Sequence, residues 1–360
     1  MFAEQRHELI LREVRERGSV RLADLVERLG VSMVTLRRDV EHLAAQGLLK
    51  RVHGGVTRVR SDLTGPSGGA LEPELLAEDS DTGGVSLVIG MLIPSATYYY
   101  PNVIRGARDQ AAKLGARLVL GVSRYDEAEE RLQVDQLISG GVDGLLLTTT
   151  VQPDDSHVDW LAGLEVPIVL VERRATLGGP ASLLDAVASH HAHGAFLGTR
   201  HLAELGHRRV AMVTRRSPTA PRVAQGFQAA VRDLGLDGHP ELAIEQEGPS
   251  QAQVAAVVAA IRADGVTGLL VHNDEDALLL VQHLRVAGVR LPDEVSIVAY
   301  DDEVAALSDP PLTAVAPPKN AVGTLAVDAL VRRIEGGPRM PRQQVALLPE
   351  LRVRASTRPL

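Results

Sequence analysis

The sequence predicts an α/β protein, a two-lobed body of parallel sheets covered by helices behind a small head of three helices and a hairpin. Three observations carry this expectation. From Val85 onward, short Val/Ile/Leu runs alternate with helical patterns. Two of those runs recur in order, 124 and 129 residues later. The charge also changes sign along the chain. Residues 1–60 hold twelve Lys and Arg against eight Asp and Glu, a balance of +4. With a formal net charge of −8 for all 360 residues, −12 is left for the rest. A basic head on an acidic body points to a polyanion partner for the head alone.

In the head, Ile10 and Val14 mark the apolar face of a first helix. Leu22, Leu25, Val26 and Leu29 follow the i, i+3, i+4, i+7 template of a second, which Gly30 stops. Ser32 is placed as the N-cap of a third, whose buried stripe is Leu36, Val40 and Leu43. Leu48–Val52 and Val56–Arg60 flank His53-Gly54-Gly55 as two strands around a turn. Val34, Thr35, Arg37, Arg38 and Glu41 point away from the third helix's stripe. Hydroxyls and paired arginines near a helix start suit a major groove, where arginine bonds guanine bidentately and hydroxyls take phosphates. Lys50, Arg51, Arg58 and Arg60 on the hairpin would follow the flanking backbone. An ordinary solvated face is the competing reading from periodicity alone.

Residues 61–84 are rich in Gly, Pro and acidic side chains, the composition of a solvated linker. The body's strands then read SLVIGML, RLVLGV, GLLLTT, PIVLVE, RVAMVT, LAIEQ, GLLVHN and SIVAYD. GVDGLLLTTT (141–150) is echoed by GVTGLLVHND (265–274), and VPIVLVER (166–173) by VSIVAYDD (295–302). A duplicated lobe places Thr148–Thr150 and Asn273-Asp274 at equivalent strand ends, and likewise Glu172-Arg173 and Asp301-Asp302. Ligands of open α/β sheets sit beyond the carboxyl ends of the strands, so these polar residues should face a cleft.

Several classes are disfavoured. The chain has no cysteine, which excludes a disulfide scaffold, an iron–sulfur site and a thiol nucleophile. There is no G-x-S-x-G, Walker A, early G-x-G-x-x-G or H-E-x-x-H pattern. His190, His191, His193, His201 and His207 lack the i, i+4 spacing of a helical zinc pair, so neither a metal nor a cofactor is expected. The charged N-terminus has no signal-peptide core, and the longest apolar run, Val85–Ile93, is too short for a bilayer. A soluble cytoplasmic protein with no membrane contact is expected. Three consecutive tyrosines, Tyr98–Tyr100, follow Pro94 and would stack on a sugar or base, or simply pack the loop. Arg222 opens a helix and would fork onto vicinal hydroxyls. Asp274 would accept two hydroxyl donors or serve a helix start.

VSMVTLRRDVEHLAAQGLLKRVHGG resembles the signature of the deoxyribose-operon-repressor (DeoR) family, with its VSxxTxRRDxxxL helix and HGG wing. The resemblance implies a winged helix-turn-helix over about residues 4–58, with a domain boundary near residue 60. It would set Ser32, Thr35, Arg37 and Arg38 at DNA, with Arg51 on the hairpin and His53, Gly54 and Gly55 at the wing tip. Asp39 follows the motif and reads as structural, paired with a nearby arginine.

From about Val85 to Pro359 the body resembles the effector domain of the lactose-repressor/galactose-repressor (LacI/GalR) family, related to periplasmic sugar-binding proteins. IGMLIP, GVDGLLL, HLAELGHRRVAMVT, R-x-x-x-G at Arg222–Gly226, ND-x-x-A, LPDEVSIVAYDD, PPLTAV and LRVRASTRP carry the likeness. It implies a type I periplasmic-binding-protein-like fold over 85–360. The ligand set would be Ser95, Tyr99 and Tyr100 from the first lobe and Arg222, Asn273 and Asp274 from the second, with Arg173 at a strand end. Crossovers would fall near Glu172-Arg173, Tyr300-Asp301 and Val315–Pro318. Lobe 1 would then span about 85–172 and 303–316, and lobe 2 about 173–300 and 319–360. Thr97-Tyr98 stands where that family has Asn-Pro, and His190 where it has Asp.

Together these resemblances imply a ligand-responsive transcriptional regulator, a repressor of carbohydrate uptake or catabolism genes. Its partners would be pseudo-palindromic operator double-stranded DNA, a small sugar and a second copy in a homodimer. The alternatives are a purine or nucleoside effector, or a solute-binding transport protein, which would need a signal peptide and no head. An enzyme is not expected.

Overall fold

A computed structural model describes residues 3–17, 19–45, 48–52, 55–57, 87–150, 155–173, 183–244, 248–337 and 339–360. The chain divides into two compact units, residues 1–88 with 135–143 and residues 89–134 with 144–360.

The first unit begins with α1 (Ala3–Arg17), β1 (Ser19–Arg21), α2 (Leu22–Leu29), α3 (Met33–Ala45), β2 (Lys50–Val52) and β3 (Gly55–Thr57). Ile10, Val14, Leu25, Leu36, Val40 and Leu43 bury together, as the helical spacing predicts. Gly30 takes the left-handed conformation (φ 62°) that ends α2, a position disfavoured for a residue with a Cβ. Ser32 Oγ accepts from the Thr35 amide at 3.1 Å, capping α3. Strand β3 lies between β1 and β2, both antiparallel to it. Strand β1 was not expected from the sequence, because three residues, SVR, are too short to show a period. Asp39, 5% exposed, accepts two bonds from Arg6 at 2.6 and 3.0 Å, and its Oδ1 lies 2.9 Å from His7 Nε2. Burial disfavours its charge, but these contacts outweigh burial and hold the carboxyl below the usual range. The pairing ties α3 to α1.

The remaining elements are β4 (Val88–Ile93), α4 (Tyr100–Lys113), β5 (Arg117–Val122), α5 (Glu127–Ser139), β6 (Gly144–Leu147), α6 (Asp155–Ala162), β7 (Ile168–Val171) and β8 (Asp185–Ser189). They continue with α7 (His191–Glu204), β9 (Arg209–Arg215), α8 (Ala220–Asp233), β10 (Asp237–Gly238), β11 (Leu242–Ile244), α9 (Gln251–Arg262), β12 (Gly268–His272), α10 (Asp274–Val286) and β13 (Ser296–Tyr300). The last are β14 (Thr313–Ala316), α11 (Lys319–Gly336), β15 (Gln344–Leu347) and β16 (Glu350–Arg352). Two sheets result, ordered β15-β8-β7-β6-β4-β5 and β10-β9-β12-β13-β14-β16, with β11 also on β9. Apart from the antiparallel β14–β16 edge, the registered pairs of both are parallel. The strands are apolar because helices cover both faces. The echoed segments form adjacent parallel pairs in each sheet, β6–β7 and β12–β13, in accord with a duplicated lobe.

The lobe limits differ from the expectation. Residues Asp185–Ser189 pair with β7 in the first sheet, so the chain does not cross at Glu172-Arg173 but after β8. Residues 313–316 belong to the second sheet, so there is no crossing at Tyr300-Asp301 either. The chain returns to the first lobe between β14 and α11, near the expected Val315–Pro318, and crosses last between β15 and β16. The physical reason is that DAVAS and QVAL are short, partly alanine strands, whose pairing depends on the sheet rather than on local pattern. Helix α11 packs on α4 so closely that a Cβ on Gly323 would lie 2.0 Å from the Val103 carbonyl oxygen. A Cβ on Gly226 of the R-x-x-x-G motif would likewise lie 2.0 Å from the Ala192 carbonyl oxygen, so glycine lets α8 approach α7.

Candidate functional site

Between the carboxyl ends of the two sheets lies a cavity of about 1100 Å³. The first lobe contributes the turn after β4 and the residues after β7. The second contributes the segments after β9, β12 and β13. Four lining residues that are not glycine adopt left-handed backbone, Tyr99 (φ 57°), Tyr125 (φ 60°), Glu172 (φ 53°) and Asp301 (φ 88°). Such conformations cost of order 1–3 kcal/mol each and cluster where a site over-determines them.

Of the expected ligand residues, Ser95, Tyr99, Tyr100, Arg173 and Asn273 line the cavity. Ser95 Oγ lies 2.9 Å from Thr97 Oγ1 and accepts from the Thr97 amide. The Tyr99 and Tyr100 rings meet edge to face at 5.4 Å. Tyr99 donates to Glu172 at 2.7 Å, and Lys319 Nζ lies 4.9 Å from its ring centre. Arg173, 2% exposed, donates to the Thr149 carbonyl at 2.7 Å and its own neighbour's carbonyl at 3.0 Å, while Nη2 has no hydrogen-bond partner. Asn273 caps α10 by accepting from the Asp276 amide.

Arg222 and Asp274 are placed elsewhere. Arg222 lies in the first turn of α8 and is absent from the cavity wall. Asp274 is fully buried. Its Oδ2 accepts from the amides of Glu303, Val304 and Ala305 at 2.6, 2.7 and 2.9 Å, and its Oδ1 from the Tyr98 hydroxyl. A strand-end aspartate before a helix pointed to ligand or cap. The structure instead makes it the anchor of the 303–305 segment.

Pattern reasoning missed Tyr125, Arg215, Arg216, His272 and Asp276, all of which line the cavity, as does Tyr98 of the tyrosine run. Arg215, Arg216 and His272 end or follow apolar strands, so the strand-end rule that selected Glu172 would have found them. Arg215 Nε lies 3.3 Å from Asp276 Oδ2. Glu172 also accepts from the Ser189 amide and hydroxyl and lies 3.4 Å from His191 Nε2. Burial opposes its charge, yet His191 and these donors keep its carboxyl low. Burial, with His191 and Arg215 nearby, depresses His272 to about 3, leaving the ring neutral. Asp301 goes the other way. Burial and the Asp274 charge raise it to about 7, against the pull of Lys319, His191 and Tyr98. Of the histidine group, His191 lines the cavity, His190 caps α7, and His201 and His207 contact Thr357 and Thr267. Among the described residues, no cluster of His, Cys, Asp or Glu is placed to hold a metal ion. No helix among them is long and apolar enough to cross a membrane.

On α3, Val34 is 60% exposed and Arg38 is exposed, whereas Thr35 and Arg37 are half-buried. Ser32 Oγ and Thr35 Oγ1 lie 2.8 Å apart, and Arg37 is ion-paired with Asp143 of the same unit. Arg51 lies on β2 and Gly55 opens β3, opposite Val52. His53 and Gly54, like Arg58, Arg60 and the 61–84 linker, lie outside the described residues.

Comparison with known proteins is consistent with both parts. Residues 6–62 match the DeoR-like helix-turn-helix domain, and residues 199–357 the periplasmic binding protein-like domain. The ribose operon repressor of Escherichia coli K12 is 31% identical over 278 residues, covering 74% of this chain and 81% of its own. The arabinose metabolism transcriptional repressor of Geobacillus stearothermophilus is 27% identical over 93% of this chain and 90% of its own. Among solved structures, a LacI family transcriptional regulator from Enterococcus faecalis V583 with bound ribose is 26% identical, with a TM-score of 0.61. That match covers 76% of this chain and 99% of the other.

Proposed function

Since the chain belongs to the LacI family of transcriptional regulators, carrying a DeoR-like helix-turn-helix, we propose that it represses carbohydrate uptake or catabolism genes under control of a small sugar. In this reading residues 1–60 are the DNA-binding head, 61–84 a linker and 85–360 the effector body. Helix α3 enters the major groove, with Arg38 at a base edge and Ser32 and Thr35 near phosphate. Arg51 and the turn at His53, Gly54 and Gly55 flank the backbone. Two heads joined through a homodimer gain effective concentration on a pseudo-palindromic operator. The protein is cytoplasmic and not an enzyme.

The observation that carries the effector reading is Arg173, a buried guanidinium on the cavity wall with one nitrogen unpartnered, set among phenols and carboxylates. An uncharged polyol offers acceptors to that nitrogen, donors to the carboxylates and an apolar face to Tyr100 and Tyr125. A ligand with different affinity for the two lobe arrangements would bias the heads. A nucleoside would stack on the same phenols and is the competing ligand class. Thermal-shift screening of D-ribose, L-arabinose and nucleosides separates them. A ligand at 100 times its Kd adds about 2.7 kcal/mol of stability. A shift by a nucleoside and by no sugar would replace this effector.

A further inference from the structure

The Tyr98 hydroxyl reaches from the first lobe to two carboxylates of the second, Asp274 Oδ1 and Asp301 Oδ2, the latter at 3.1 Å. A phenol has one proton to donate and lone pairs to accept with. Asp274 Oδ2 accepts from three amides and its Oδ1 accepts the hydrogen bond of the phenol, so both of its oxygens act as acceptors. The Asp301 contact is then attractive only if Asp301 carries a proton and donates it to Tyr98 Oη. Burial and both carboxylates keep the phenol itself neutral.

We propose that Tyr98 is a built-in occupant of the cleft: its hydroxyl fills the polar corner at Asp274 and Asp301 and latches the two lobes together without a ligand. The proposal rests on the cavity being the effector site only for its consequence, that a ligand binding beside the latch reads Arg173, Arg215 and Glu172 rather than Asp274. Tyr98 therefore sets specificity by subtraction. It withholds one carboxylate from the ligand and makes the ligand-free body closed.

The chain has no cysteine, so two spin labels can be placed at will. Glu127→Cys on α5 and Gln251→Cys on α9 are exposed sites at helix starts, one per lobe. Electron-spin distance measurement on the ligand-free full chain should give one narrow distribution. Tyr98→Phe, which keeps the ring and removes the hydroxyl, should broaden it and lengthen it by several ångström. Asp301→Asn should retain the narrow distribution, because its amide donates to Tyr98 as the protonated acid does. An unchanged distribution in Tyr98→Phe overturns the latch, and opening in Asp301→Asn overturns the proton assignment. If Tyr98→Phe does not fold, Asp301→Asn still decides whether Asp301 acts as a donor. Because no ligand is present, these outcomes are independent of whether any sugar binds.

Discussion

Replacing Asp274 by alanine separates an anchoring role from a ligand-reading one. The wild-type carboxylate accepts three amides, from Glu303, Val304 and Ala305, and one buried phenol. Bonds to a charged group contribute about 1.5–3 kcal/mol each when dry. Glu303 and Val304 are half-buried, so water recovers part of that and about 1 kcal/mol per amide is the better figure. With the phenol, the loss comes to about 4 kcal/mol, or roughly 8–15 °C in melting temperature for a body of this size. Calorimetry or circular dichroism of the full chain, without ligand, reads this directly. A midpoint within 2 °C of wild type, together with a lost ligand response, would refute the anchoring argument and return Asp274 to the ligand set.

Other perturbations test separate links. Gly323→Ala should lower the melting temperature of the body by the cost of overpacking, about 1–3 kcal/mol, because its Cβ meets the Val103 carbonyl; an unchanged melting curve would show that α4 and α11 slide apart freely. Arg38→Ala should weaken operator binding by about 1–3 kcal/mol and relax one base position. A uniform loss across DNA sequences, with a smaller salt slope, would assign it to phosphate. The pH dependence follows from Asp301, which faces Tyr98 and Tyr99 from the β4 turn, Asp274 from α10, His191 from α7 and Lys319 from α11. Between the ordinary carboxylate value and about 7, the folded protein keeps a proton that the unfolded chain has released. The stability this group contributes therefore falls as pH rises through that window and is level above it. Asp301→Asn should flatten that part of the melting-temperature profile; an identical profile in the variant would remove Asp301 as the source.

The long apolar runs were legible because strands covered on both faces by helices have no polar alternation to disguise them. β6, β7, β12 and β13 appear where GLLL, IVLV, GLLVH and SIVAY stand. The head was legible because Leu36, Val40 and Leu43 hold a helical period and Ser32 supplies the cap. The strand DAVAS was not, since small residues acquire strand character only from pairing beside β7. In the cleft, the strand-end rule selected Glu172, Arg173, Asn273 and Asp301, which line the wall, and Thr148–Thr150, Asp274 and Asp302, which do not. It says nothing of where a side chain turns, so Asp274 was assigned to ligand although its oxygens face amides. Tyr98 was noticed only as one of three tyrosines, because a bond across 176 residues leaves no local trace.

The most direct measurement is selection of duplexes from a random pool by the full chain, followed by titration of the selected duplex with the protein plus and minus each sugar of a panel. The account predicts an enriched inverted repeat and at least one sugar that changes its Kd by fivefold or more. No enrichment at low salt, with or without sugars, would contradict it.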